Sequence, residues 1–209
     1  MLASLTDLGD SALLLPASLA LVLYLMGSGW RRAGLAFAAA VGLCVALTFA
    51  VKLGFQYCSG EAPSYGIHSP SGHSALAAAF YGSSAILFGI GRARWLRGTM
   101  LVAAFLFAGA IAWSRVRLQA HTVPEIAIGL AVGFGALVCF NLLRRGERPP
   151  APLPPLPVLA VLAVLVMTVH DHHIEAEGLI ARIARMLEET SGLQCRPASV
   201  PIASAWPLG

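Results

Sequence analysis

The sequence predicts an all-α fold: a polytopic membrane bundle of about six transmembrane helices, followed by an amphipathic C-terminal helix. Three observations lead there. Hydrophobic residues make up 57% of the 209 residues and charged residues 11%, where a soluble domain carries about 45–50% and about 25%. So little charge cannot cover a soluble surface, and so much apolar character does not suit a disordered chain. Six charge-free stretches recur along the chain. They are continuous and rich in Ala, Leu and Gly rather than alternating, which argues against membrane strands. The length suits one domain.

The first stretch, Ser11–Trp30, follows an N-terminus that carries Asp7 and Asp10 and no basic residue, so a cleaved signal peptide is not expected. Ala33–Val51, Ser74–Gly91, Gly98–Ser114 and Ile126–Leu143 are the second to fifth. Each approaches the ~20 residues that cross a bilayer core, and the fourth is short. The sixth, Pro149–Val169, opens on a proline-rich linker over 149–157, so its helix is expected to start near Pro157. Beyond it, Ile174, Leu179, Ile180, Ile183, Met186 and Leu187 form a helical stripe. Glu175, Glu177, Arg182, Arg185 and Glu188 lie off it. This reads as a helix on the outer membrane surface or packed on the mouth of the bundle. The expected division is a membrane domain over 1–170 and an extracytoplasmic segment over 171–209.

Six spans place alternate loops on opposite sides. Arg31, Arg32, Arg92, Arg94, Arg97, Arg144, Arg145 and Arg148 share one side, with Glu147 as its one acid. The positive-inside rule makes that side cytoplasmic. Both termini then face outward, to the periplasm if the membrane is a bacterial inner membrane. Trp30, Trp95 and Trp113 fall at span ends, as interface anchors do. The formal net charge of +4 comes largely from the topogenic arginines and gives no reason to expect nucleic acid.

All six histidines fall on the outer side, as does the single lysine, Lys52. Lys52 closes the second span; Ser71, Gly72 and His73 open the third; Arg115 closes the fourth; His121 and Glu125 open the fifth. Four helix ends therefore bring these groups to one mouth. Ser69-Pro70-Ser71-Gly72-His73 begins a helix, with Pro70 expected in its first turn. Free N–H groups there, joined by Lys52 and Arg115, make an anion site. Read alone, the same segment is a Ser-Pro helix start with a capping serine, and both readings stand. Thr122 is expected to cap the next helix, with Pro124 in its first turn. His121 and Glu125 are four apart, so the carboxylate can hold the imidazole. That pairing serves a nucleophilic or acid–base histidine, and equally a surface pair at a helix start. Two histidines beside an anion cradle point to phosphoryl transfer: one attacks phosphorus, and the other protonates the leaving oxygen.

Pro70-Ser71-Gly72-His73, followed by Ser114-Arg115, five residues, His121, three residues and Glu125, resembles the type-2 phosphatidic acid phosphatase superfamily. That superfamily also includes bacterial acid phosphatases and vanadium haloperoxidases. Its pattern is K-x6-R-P, then P-S-G-H, then S-R-x5-H-x3-D, and the matched region runs from Lys52 to Glu125. The resemblance implies a helical membrane lipid phosphatase with an outward-facing site. It implies His121 as nucleophile, His73 as general acid, and Glu125 as the group orienting His121. Lys52, Ser71, the Gly72 amide and Arg115 would hold the phosphate, and no metal or other cofactor is implied. The chain departs from the pattern twice. Ser59-Gly60 stand where the first element has Arg-Pro, with Arg117 as a candidate substitute, and Glu125 stands in place of Asp.

Other polar and sulfur groups carry weaker signals. Cys44 and Cys139 read as packing residues inside spans. Cys58 and Cys195 both fall on the outer side, where a disulfide is permitted. His170, Asp171, His172 and His173 read as a solvated span end rather than a zinc site. His68 lies in the loop before the third span as a supporting group or a bystander. The expected function is hydrolysis of a membrane lipid phosphate or diphosphate: undecaprenyl diphosphate, phosphatidate, phosphatidylglycerophosphate or lipid A phosphate. A phosphotransferase using the same histidine is a second reading, and a non-catalytic lipid-phosphate-binding relative a third. A small transporter with an outward anion site would need polar residues deep in its spans, and charge is absent there.

Overall fold

The computed structural model describes residues 2–58, 69–146 and 153–169, with isolated helical positions at 178, 182, 183 and 186. Its elements are α1 (Leu2–Asp7), α2 (Ser11–Gly27), α3 (Arg31–Cys58), α4 (Gly72–Gly89), α5 (Arg94–Arg117), α6 (Val123–Leu143) and α7 (Leu156–Val169). No strand occurs among the described residues. Among the described residues, four segments are long and apolar enough to cross a membrane: Ser4–Gly27, Arg31–Phe55, Arg94–Arg117 and Val123–Leu143. The chain is thus an all-α, multi-pass membrane protein. Exposed Leu19, Leu23, Leu35, Val102, Leu106 and Val138 cover the outside of these helices, as a lipid-facing surface requires.

The helix ends follow from local chemistry. The Asp10 side chain caps α2, accepting the Ala12 N–H at 2.8 Å. At the other end of α2, Gly29 takes φ 83°. The Trp30 N–H then reaches the Leu25 carbonyl at 2.9 Å, and the Gly29 N–H reaches Met26 at 3.4 Å. This pair of bonds is a Schellman turn, and it folds Trp30 back under the bundle. Trp30 is only 1% exposed, packed in the main core. It is therefore a core residue and not the interface anchor that its place at a span end suggested. Trp95 and Trp113 are exposed, at 74% and 59%.

The central helix is α4, packed against α2, α3, α5 and α6. It is rich in Ala, Ser and Gly, and 13 of its 18 residues are buried. Small residues let neighbouring backbones approach closely. On α6, a Cβ at Gly129 would meet the Ser71 carbonyl, and one at Gly133 would meet the Ala75 carbonyl and the Ala78 methyl. The two glycines, spaced as G-x-x-x-G, set α6 directly against the start of α4. Toward the middle of the bundle Phe37 meets Phe80 and Phe140 edge-on, each with ring centroids 6.0 Å apart.

The arginine-bearing ends gather at one end of the bundle. Arg32 Nε donates to the Leu143 carbonyl at 3.0 Å, and Arg92 Nη2 donates to Leu153 at 3.4 Å. The α2, α4 and α6 N-termini and the α3 and α5 C-termini lie at the other end. Cys44 is buried in α3 and Cys139 half-buried in α6, inside their helices as expected. The division at residue 170, His68, Ser59-Gly60, the His170–His173 cluster, Cys195, the Cys58 side chain and most of the amphipathic tail lie outside the described residues.

Candidate functional site

The site is built where α3, α4, α5 and α6 come together at the end opposite the arginines. Helix α4 starts two residues later than a first-turn Pro70 requires: Ser71 is its N-cap and Gly72 its first residue, so Pro70 precedes the helix. The Ser71 hydroxyl accepts the Ser74 N–H at 3.4 Å and the Ser74 hydroxyl at 3.0 Å. Ser71 is fully buried. It is the capping serine of the bland reading, and its own hydroxyl proton is the group it has to offer an anion.

Lys52 does not close its helix, because α3 continues past it to Cys58. It is buried, at 7% exposure, with its Cε 3.8 Å from where a Gly72 Cβ would stand. The lysine stem thus lies close against the first turn of α4, where even a Cβ at 72 would make only ordinary contact with it.

Helix α5 ends on a second Schellman turn. The Ala120 N–H reaches the Arg115 carbonyl at 3.0 Å and the Gln119 N–H reaches Val116 at 2.9 Å. The left-handed position is Gln119, at φ 54°, where glycine is the usual occupant. The His121 N–H adds a bond to the same Arg115 carbonyl at 3.3 Å. This turn fixes His121 just outside α6, which Thr122 caps and Pro124 enters in its first turn, as expected. Arg115 Nη1 meets the Thr6 hydroxyl of α1 at 3.3 Å. Arg117 is exposed and lies about 200° further around α5, so it does not share the Arg115 face. The helix geometry does not favour it as the substitute arginine.

Glu125 is the hub. It is 3% exposed. Its Oε2 accepts His121 Nδ1–H at 3.0 Å and the Thr122 N–H at 2.9 Å, and its Oε1 accepts the Ser69 N–H at 2.9 Å. Its backbone carbonyl accepts the Ser71 N–H at 3.1 Å. The His121–Glu125 contact is real but is not made along a helix. His121 precedes the cap, and Glu125 reaches back as the third helical residue does in a capping box. One side chain thus ties the imidazole to the segment that opens α4.

A carboxylate at Nδ1 fixes the proton there and leaves the Nε2 lone pair for chemistry. Burial lowers the His121 pKa below its ordinary value. The Glu125 hydrogen bond and charge oppose this, and the positive charges of Arg115 and Lys52 add to the lowering. Burial thus favours the neutral imidazole, with two cations close by.

His73 lies in the first turn of α4. Its Nε2 is 3.4 Å from Oδ2 of Asp10, the residue that caps α2. Asp10 and Thr6 complete the mouth from the N-terminal side, and neither is singled out by the linear motifs. Asp10 before an apolar run carries a helix-cap signature, but nothing in its spacing points to His73. Gly9 is pressed between Ile111 and His73, whose Cβ stands 3.4 Å from where a Gly9 Cβ would be. The Tyr81 hydroxyl of α4 donates to the Leu8 carbonyl at 2.8 Å, which holds the α1–α2 turn over the site.

No protein-family model and no solved structure matches the chain. It is similar to the "Uncharacterized 22.5 kDa protein in cps region" of Klebsiella pneumoniae, with 30% identity over 145 residues. The match covers 69% of this chain and 68% of that protein.

Proposed function

We propose that this chain, which belongs to one family with the 22.5 kDa protein of the Klebsiella pneumoniae cps region, is an integral membrane phosphatase working through a phosphohistidine. The observation that carries the reading is His121: oriented through Nδ1 by Glu125 at 3.0 Å, and set among Lys52, Arg115 and the α4 N-terminus. It is the arrangement that the resemblance to type-2 phosphatidic acid phosphatases leads one to expect.

In this reading Nε2 of His121 attacks phosphorus. The bond to the leaving oxygen breaks, and that oxygen takes a proton from His73. Lys52, Arg115, the Ser71 hydroxyl and N–H groups opening α4 hold the charge that builds on the other phosphoryl oxygens. Water then attacks phosphorus, its proton passes to His73, and the bond to His121 breaks. No metal or cofactor enters these steps.

A site at a helix-bundle mouth suits a substrate whose head group sits at the membrane surface. The substrate class is a lipid phosphate or diphosphate, such as undecaprenyl diphosphate, phosphatidate, phosphatidylglycerophosphate or lipid A phosphate. We place the chain in a bacterial inner membrane with six spans, α2 to α7, and the tail helix on the outer side. The gathering of Arg31, Arg32, Arg92, Arg94, Arg144 and Arg145 at the far end of the bundle supports a cytoplasmic arginine side and a periplasmic site.

The test is phosphate release from a panel of lipid phosphates by detergent-purified protein with chelator present. The reading expects release by wild type that is lost in His121→Ala and His73→Ala. Undiminished release by His121→Ala would refute it.

A further inference from the structure

We propose that the Asp10 carboxylate is the positioning partner of His73: it aims the ring that protonates the leaving group. The proposal rests on the phosphatase reading and adds a residue outside its motifs. Asp10 is 9% exposed and caps α2 through Oδ1, which accepts the Ala12 N–H at 2.8 Å. Its other oxygen, Oδ2, stands 3.4 Å from His73 Nε2. One oxygen is thus held by the start of a helix, and the second is carried to the histidine by a rigid mount. The mount is secured twice. Tyr81 of α4 anchors the Leu8 carbonyl at 2.8 Å, and Gly9 lets the turn press on His73 itself. Catalytic hydrogen bonds that are long without substrate commonly tighten when it binds.

The chemistry follows from which nitrogen faces the carboxylate. With Nε2–H directed at Asp10, the proton that His73 passes on is the one at Nδ1. As the bond from His121 Nε2 to phosphorus forms, the electrons of the breaking P–O bond move to the leaving oxygen, which takes the Nδ1 proton. The neutral ring keeps Nε2–H toward Asp10. In the second half, Nδ1 takes a proton from the attacking water, and the electrons of the P–N bond return to His121. Asp10 touches neither substrate nor phosphorus; it acts through His73.

The variant that tests this is Asp10→Asn. Asparagine caps helices as well as aspartate does. Since Oδ1 serves the cap, the amide nitrogen then takes the place of Oδ2 and offers His73 a donor instead of an acceptor. Asp10→Ser also caps and carries no carboxylate. Two probes separate the roles: dioctanoyl phosphatidate, whose alkoxide must be protonated to leave, and p-nitrophenyl phosphate, whose phenolate leaves unaided. Both variants are expected to lose roughly 10- to 100-fold in kcat on the phosphatidate, within the range of general-acid contributions. KM and the p-nitrophenolate burst, which reports the first half alone, should change by less than about threefold. In a His73→Ala background, where the p-nitrophenolate burst needs no general acid, Asp10→Asn should lower that burst by less than about twofold further, since the carboxylate has no ring left to aim.

Equal losses in phosphatidate turnover and in the p-nitrophenolate burst, or an additive loss in the His73→Ala background, would mark Asp10 as a helix cap only and overturn the proposal. Wild-type turnover of the phosphatidate by Asp10→Asn would do the same. Wild-type protein that turns over neither probe would instead overturn the phosphatase reading, and this role with it.

Discussion

Glu125 Oε2 lies 3.0 Å from His121 Nδ1, while Oε1 of the same carboxylate takes the Ser69 N–H at 2.9 Å. One buried carboxylate thus orients the imidazole and staples the α6 cap to the strand of chain that starts α4. Replacing it by an amide removes the charge and places a donor against either His121 or a backbone N–H. Glu125→Gln should lower kcat by at least about a hundredfold if His121 is the nucleophile, by analogy with a triad carboxylate. It should also lower stability by about 1–3 kcal/mol, the cost of a buried polar group left without its partner. Phosphate release and thermal melting in detergent read the two effects separately.

The pH dependence has a defined sign. Burial lowers the His121 pKa, so the nucleophile stays neutral below the ordinary histidine value of about 6.5. The acidic limb of kcat/KM that His121 causes is therefore expected below that pH. Glu125 raises the His121 pKa, so Glu125→Gln should push this limb lower still. For stability, the unfolded state binds the proton first as pH falls. The contribution of His121 is complete above about pH 6.5 and declines as pH drops through the unfolded value. Rate profiles against pH for wild type and Glu125→Gln check the direction, and a limb moving upward in the variant would contradict it.

Gly129 makes a third prediction. A methyl there would collide with the Ser71 carbonyl, which cannot move without shifting the N-terminus of α4. Gly129→Ala should cost about 1–3 kcal/mol, as overpacking does. It should also reduce activity, because it displaces Ser71, Gly72 and His73 together. Gly42, inside α3 and with nothing within 4 Å of where its Cβ would be, is the control, and Gly42→Ala should be neutral to stabilising by up to about 1 kcal/mol. Melting temperature and phosphate release for the two variants make the comparison.

Gln119 makes the fourth. A non-glycine residue at φ 54° costs roughly 1–2 kcal/mol relative to a relaxed backbone. Glycine there relieves that cost and adds entropy to the unfolded chain, so Gln119→Gly is expected to stabilise the protein by a few tenths to about 1 kcal/mol. The bonds from Ala120 and His121 to the Arg115 carbonyl remain, so activity should hold. A lower melting temperature would show that Gln119 earns its place through its side chain.

The helices and the gathering of the site were legible for the same reason: each apolar run is bounded by the polar groups that cap it. Thr122 and the arginine turns mark where helices start and stop. Lys52, Ser71, Arg115 and His121 converge because antiparallel helices return them to one end. What stayed hidden depends on turns and on partners distant in sequence. Trp30 looks like an anchor until the Schellman turn at Gly29 folds it inward. Lys52 looks like a helix end because a lysine usually ends an apolar run, yet α3 carries it into the bundle against Gly72. Arg117 looks like a replacement cation until the helical twist turns it from Arg115. Asp10 reads only as an acid ahead of the first apolar run, since no local pattern encodes that its second oxygen meets His73.

The central claim is that His121 carries the phosphoryl group. The most direct measurement is a rapid quench of detergent-purified protein with lipid substrate labelled in its terminal phosphate, under alkaline denaturing conditions that preserve phosphohistidine, followed by peptide mapping. The account predicts label on the peptide containing His121, absent in His121→Ala and unaffected by chelator. Label on another residue, or lipid hydrolysis proceeding in His121→Ala, would contradict it.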